Sequence, residues 1–175
     1  MKQVFFAAAT VVCCSLFSCQ NPANNMADSQ AEKNKMVVHD IYQGIETGDM
    51  SKLNGIADDA VDHMGPKGTE IKGGDNIKKM LSDMHNHMKD LKMEVVAEAA
   101  NGDYVFVWCH MTGTCTDSSM GMKGGMVMDS KSVDVIKFKD GKATDHWGYL
   151  DPQDMMKMMP PPMDNKMKMD STHKM

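Results

Sequence analysis

The chain has 175 residues, a formal net charge of −5 and a sequence pI near 5.7, a size that fits one domain with short appendages. The acidic balance excludes a nucleic-acid surface. Arginine is absent, so the planar fork that grips phosphate or carboxylate groups is excluded as well.

Residues 1–18 carry one lysine, Lys2, and then an apolar run from Val4 to Val12. That is the form of a secretory signal peptide, too short to span a membrane as a mature helix. Leu16-Phe17-Ser18-Cys19 resembles a bacterial lipobox, in which the cysteine is lipidated and becomes the first mature residue. Residues 19–31 then read as the polar tether of an anchored domain. The expectation is an extracytoplasmic lipoprotein, periplasmic or on the cell surface, held to the membrane through Cys19. Beyond it the mature chain keeps Cys109 and Cys115. Six positions along one strand set them about 20 Å apart, outside disulfide reach, so both are expected as buried thiols.

Val38, Ile41, Tyr42 and Ile45 recur at helical spacing before Gly48, which predicts a helix over 30–47. A short second helix is expected from Lys52 to Ala57, a short strand from Ala60 to Met64, and a turn at Gly65-Pro66-Lys67-Gly68. After Gly73-Gly74-Asp75, the residues Ile77, Leu81, Met84, Met88 and Leu91 fall on one face of a long amphipathic helix. Three strands follow: Lys92 to Ala100, Tyr104 to Thr116 after an Asn101-Gly102 turn, and Met126 to Lys139. Asp140-Gly141 is the strongest short-range hairpin signal, and the return strand through Trp147 and Tyr149 is the fourth. Asp151-Pro152 can open a last short helix. Helices followed by an antiparallel sheet make an α+β pattern.

The string from Phe138 to Asp151, F-K-D-G-K-A-T-D-H-W-G-Y-L-D, resembles the closing hairpin of SnoaL-like domains, within the nuclear-transport-factor-2-like superfamily. Gly48-Asp49, the G-x-E-x-x-G-x-x-x-I stretch from Gly68 to Ile77, and G-T-C-T from Gly113 to Thr116 extend the resemblance to about residues 34–159. It implies a cone-shaped, curved antiparallel sheet packed by N-terminal helices (cystatin-like in outline), over a domain spanning 32–159. It also implies a pocket for a small molecule at the mouth of the cone. Ester-cyclase-like isomerase or cyclase chemistry by proton transfer and binding without turnover are both open.

The resemblance points to Asp151 as a general acid/base. That role needs desolvation to lift its pKa towards neutrality. Its place before Pro152, with Asp154 three residues on, favours a helix cap instead. His146 and His63 are the other catalytic candidates, since a histidine beside a carboxylate makes a proton-transfer pair at neutral pH. Trp108, His110, Trp147 and Tyr149 are the candidate pocket residues. Parity alone does not settle which face of the sheet lines the pocket. Cys115 stands where many cyclase-like relatives have histidine after Gly-Thr. His85 and His87 are two apart on a helix and cannot share one ion.

Methionine is the oddity, 22 residues against five leucines. Pro160-Pro161-Pro162 forbids helix, and residues 160–175 read as a disordered tail. No cofactor is expected of the domain. The tail is an alternative soft-metal site, with Met163, Met167, Met169 and His173 as Cu(I) ligands. The partners expected are a small-molecule ligand, the membrane through the anchor, and a second copy of the chain as a homodimer.

Overall fold

The computed structural model describes residues 22–65, 68–119 and 123–158. Cys19 and the tail positions Met163, Met167, Met169 and His173 lie outside the described residues. Helix α1 (Pro22–Thr47) and a 3-10 turn (Met50–Gly55) lead into strands β1 (Ile56–Gly65) and β2 (Thr69–Lys72). Helix α2 (Gly74–Asn86) is followed by β3 (Met88–Asn101), β4 (Tyr104–Cys115), β5 (Val127–Lys139), β6 (Lys142–Leu150) and helix α3 (Pro152–Met158). The six strands form one sheet in the order β2-β1-β6-β5-β4-β3, and α1 and α2 pack on one face of it. This is the α+β arrangement expected. Among the described residues no helix is long and apolar enough to cross a membrane.

The closing hairpin forms where Asp140-Gly141 predicts it. Both turn residues have positive φ, 52° and 77°, as a two-residue turn matched to strand twist requires. Helix α1 buries Val38, Tyr42 and Ile45, three of the four residues whose spacing marked it. It begins at Pro22, so residues 22–31, expected as a tether, are its first turns. Leu53, in the 3-10 turn, is 0 % exposed and closes one end of the core. Cys109 and Cys115 are free, buried thiols, consistent with their spacing.

Three expectations need correction. The long amphipathic helix α2 stops at Asn86, and Met88 and Leu91 belong to β3. His87 leaves the helical region (φ −101°, ψ 9°), and Asp90 takes positive φ where the β3–β4 register shifts. Both apolar residues are still buried, but from a strand. Second, the short helix expected from Lys52 to Ala57 is a 3-10 turn that ends at Gly55, and Ile56 and Ala57 open β1, whose antiparallel neighbour β2 is a further edge strand. Third, the sheet is mixed: β1 runs parallel to β6, with Asp62 opposite His146.

Helix α2 can start against β1 only because position 74 is glycine. A Cβ there would lie 2.4 Å from the Ala57 carbonyl oxygen, a backbone atom that cannot swing away. The contact brings α2 across the sheet and roofs the space between helices and strands.

Candidate functional site

That space is a cavity of about 260 Å³. Its roof is Ile41 and Ile45 from α1 with Met80 and Met84 from α2, and its floor includes Met93 and Met111 from β3 and β4. Met80 and Met84 are one helical turn apart and so share a face. Met93 and Met111 are direct cross-strand partners. Unbranched thioether side chains give such a wall adaptability to differently shaped apolar ligands.

Two polar centres interrupt the apolar lining. The first is His146 with Asp62. Parallel pairing of β1 and β6 sets the two opposite each other, and His146 Nδ1–H donates to Asp62 Oδ2 at 2.9 Å. Asp62 is 4 % exposed and also accepts the Met64 N–H at 2.7 Å. Burial works to raise the Asp62 pKa. The hydrogen bond and charge of His146, with the Met64 N–H, outweigh it and hold the carboxyl below its ordinary value. Burial likewise works to lower His146, and the Asp62 hydrogen bond and charge carry it above 6.5. Both directions describe one ion pair. With Nδ1 fixed by the carboxylate, Nε2 is the nitrogen available for proton exchange, and among the described residues it has no hydrogen-bond partner.

The second centre is Asp134 on β5. It is 8 % exposed and accepts the Tyr42 hydroxyl at 2.5 Å and the Ser132 hydroxyl at 2.8 Å. Burial first, then the Asp134 charge, pushes the Tyr42 phenol far above its ordinary value, so it stays protonated. The same two causes push the Cys109 thiol up to about 12, which makes it an inert wall atom rather than a nucleophile. Asp134 faces Gly148, and Ile136 faces His146. Asp134 and His146 are therefore diagonal neighbours, about 7 Å apart in such a ladder, and the Asp134 charge adds to the upward shift of His146.

Of the catalytic and pocket candidates named from sequence that lie among the described residues, His146 lines the cavity; Asp151, His63, Trp108, His110, Trp147 and Tyr149 do not. Asp151 caps α3, its carboxylate accepting the Gln153 N–H at 2.8 Å and its carbonyl the Met155 N–H at 2.9 Å. His63 lies on the other face of the sheet, stacked on Trp147 with ring centroids 4.6 Å apart and held 3.1 Å from Glu70 Oε1. Trp108, His110, Trp147 and Tyr149 share that outer face. Trp108 is 45 % and Tyr149 62 % exposed, and His110 Nε2 lies 2.7 Å from Asp129 Oδ1. The pocket assignment of these four is thus corrected: Val133 and Val135 make the outer face of β5 as apolar as its inner one, so alternation did not distinguish them. His85 and His87 part company, one on the Ile45 carbonyl and the other on Asp117. Among the described residues no group of three or more His, Cys, Asp or Glu is placed to hold a metal ion.

Asp62, Tyr42 and Asp134 were not singled out as site residues. For Asp134 a signal was there: it is a carboxylate in phase with Ile136 and Phe138 on the buried face of a β-branched strand. Asp62 had none, because its partner is 84 residues away.

Two helices laid across a curved sheet, enclosing an apolar cavity with a carboxylate–imidazole pair in its wall, define an α+β cone of the nuclear-transport-factor-2-like type. The profile of SnoaL-like polyketide cyclases matches residues 35–159, and the chain belongs to that family. Among solved structures it is similar to TsrD from Streptomyces laurentii (14 % identity, TM-score 0.63, covering 73 % of this chain and 94 % of that one). It is also similar to an LEH-like epoxide hydrolase of M. tuberculosis (18 %, 0.61, 73 % and 90 %). IdmH from Streptomyces antibioticus gives 22 %, 0.58, 71 % and 96 %. At these identities the likeness is one of fold. No curated protein matches the chain.

Proposed function

We propose that this is a lipid-anchored, extracytoplasmic protein that takes a small, mainly apolar carbonyl compound into the cavity and moves a proton at the carbon beside the carbonyl. The observation that carries the reading is His146, an imidazole set in an apolar wall, anchored through Nδ1 by a buried carboxylate and presenting Nε2. In its neutral form it removes the proton onto Nε2. The electrons of the C–H bond form a C=C bond, and the carbonyl oxygen takes the charge. Asp62 stabilises the imidazolium that results. The Tyr42 phenol, kept protonated, donates to the new oxyanion in place of Asp134. Returning the proton to another carbon is an isomerisation. Returning it after the enolate carbon has attacked a second carbonyl of the same molecule is a cyclisation.

Family membership supports the reaction class, and the apolar lining supports the ligand class. Native mass spectrometry of the purified protein is expected to show an apolar small molecule retained on it. Gly148→Leu places a side chain into the cavity against Met64, whose flexible thioether lies nearest the new Cβ at 3.1 Å, and should cut occupancy at least about tenfold. Unchanged occupancy in that variant would place the molecule elsewhere.

The anchor rests on the lipobox-like Leu16-Phe17-Ser18-Cys19. Cys19→Ala should move the protein from the membrane fraction to the soluble one, and the wild-type N-terminus should carry acyl mass. Membrane partition unaltered by Cys19→Ala, with no acyl group on the wild type, contradicts the anchor.

A further inference from the structure

The methionines are not spread through the fold as replacements for leucine would be. Among the described residues, two of the eighteen buried core residues are methionine, Met88 and Met128, against six of the twelve apolar residues packed half-buried around that core. Filling gaps in a core accounts for the first two. Four of the six, Met80, Met84, Met93 and Met111, line the cavity, where small solutes can reach them.

Two hydrogen bonds to adjacent residues of α1 bring these four to one end of the cavity. The His85 Nδ1–H donates to the Ile45 carbonyl at 2.9 Å, and the Glu46 carboxylate accepts the Met93 N–H at 3.4 Å. They tie the last turn of α2 and the middle of β3 to the same point of α1. Met84 precedes His85, and Met80 lies one turn back on the same face. Met111 pairs with Met93 across the strands, which sets their Cβ atoms about 5 Å apart. Unbranched side chains with three rotatable bonds let each sulfur swing toward a common centre.

We propose that this end of the cavity binds a soft monovalent cation, Cu(I), through the thioethers of Met84, Met93 and Met111, with Met80 beside them. Thioethers are soft donors that select Cu(I); magnesium and calcium take oxygen ligands, and zinc takes thiolate, imidazole or carboxylate. The thioethers bring no charge of their own, and the rest of the lining supplies the sign required. Its charged groups are carboxylates, Asp62 and Asp134 among them, and the imidazole of His146, with no lysine among the described residues. Such a wall favours a cation over an anion. The site is separate from the proton chemistry at His146, and its ligands are held by α2, β3 and β4 rather than by the tail of residues 160–175.

Methyl NMR of the full chain in nonionic detergent tests this, with isotope-labelled methionine methyl groups and Ag(I) in chloride-free buffer as the probe. Titration with Ag(I) should shift the methyl signals of Met80, Met84, Met93 and Met111, each assigned by its own Met→Leu variant, a change that nearly conserves volume. Met93→Leu combined with Met111→Leu should weaken Ag(I) binding, read at the Met84 methyl, at least about tenfold. His146→Gln should change it by less than about twofold. Circular dichroism establishes that each variant is folded. Should the double variant fail to fold, Met84→Leu read at the Met111 methyl serves the same purpose. Shifts confined to methionines elsewhere in the chain, those of residues 160–175 included, overturn the proposal. So does binding that the folded variants do not weaken, or that His146→Gln weakens as much as they do.

Discussion

Asp62→Ala is expected to lower the His146 pKa below its ordinary value and to destabilise the fold by about 1–3 kcal/mol near pH 6. The carboxylate is the largest influence that raises His146, against burial that lowers it. Without Asp62 only burial and the more distant Asp134 charge remain, and the Met64 N–H loses its acceptor as well. The cost stays below that of breaking a fully buried pair, because 34 % of the His146 side chain is accessible and the ring can shed its proton. The pH dependence has a defined sign. A raised histidine pKa gives stability that is fully present below 6.5 and is lost as pH rises through the folded value. A lowered carboxyl pKa gives stability that is present above 3.8 and is lost as pH falls through the folded value. The pair therefore contributes fully between these limits. Wild-type melting temperature should fall on going from pH 6 to pH 9, and Asp62→Ala should remove most of that fall. Equal slopes in the two proteins would mean that the pair does not form, and titration of the His146 ring by NMR reads the same shift directly.

Leu53→Ala should be more costly, about 2–5 kcal/mol. The side chain is fully buried, and its Cδ2 lies only 3.1 Å from where a Cβ on Gly44 would be. The 3-10 turn thus packs against α1 at a point where neither backbone has slack to collapse into a void. A denaturant midpoint within 0.5 kcal/mol of wild type, on the order of an ordinary surface change, would contradict the packing described. The residue also matters for the site. It fixes the turn that delivers β1, and β1 carries Asp62.

The hairpin at Asp140-Gly141, the helix marked by Val38 to Ile45 and the family resemblance over the domain were legible because each is a local signal or a string of them. His146 was legible as a candidate, being a histidine on a strand next to carboxylates. Its partner was not. Asp62 reaches it only through parallel pairing of β1 and β6, a contact between distant parts of the chain that no periodicity announces. The face of the sheet misled for a different reason. Aromatic residues were placed at the pocket because large rings fill apolar space, but β4–β6 are apolar on both faces. Here the helices cover the side with the smaller and more polar residues, Cys109, Ser132, Asp134 and Gly148, which is what leaves room for a cavity. The rings of Trp108, Trp147 and Tyr149 are on the side the helices do not cover.

The boundary of α2 shows a related failure. Leu81, Met84, Met88 and Leu91 satisfy helical spacing, yet the first two pack half-buried from helix α2 and the last two are buried from strand β3. Apolar spacing records that a residue is inside, not which element holds it there.

The proton-transfer role of His146 is tested most directly by hydrogen–deuterium exchange at carbon. A panel of small apolar ketones incubated with the protein in D₂O, and analysed by mass spectrometry, should gain deuterium beside the carbonyl faster than in buffer for at least one member. His146→Gln should abolish that gain, Asp62→Asn should slow it by about 10–1000-fold, and Asp151→Asn should leave it intact. Ligand retained in the cavity with no exchange above buffer in the wild type, or exchange that survives His146→Gln, would contradict proton transfer at His146 and leave the cavity as a binding site alone.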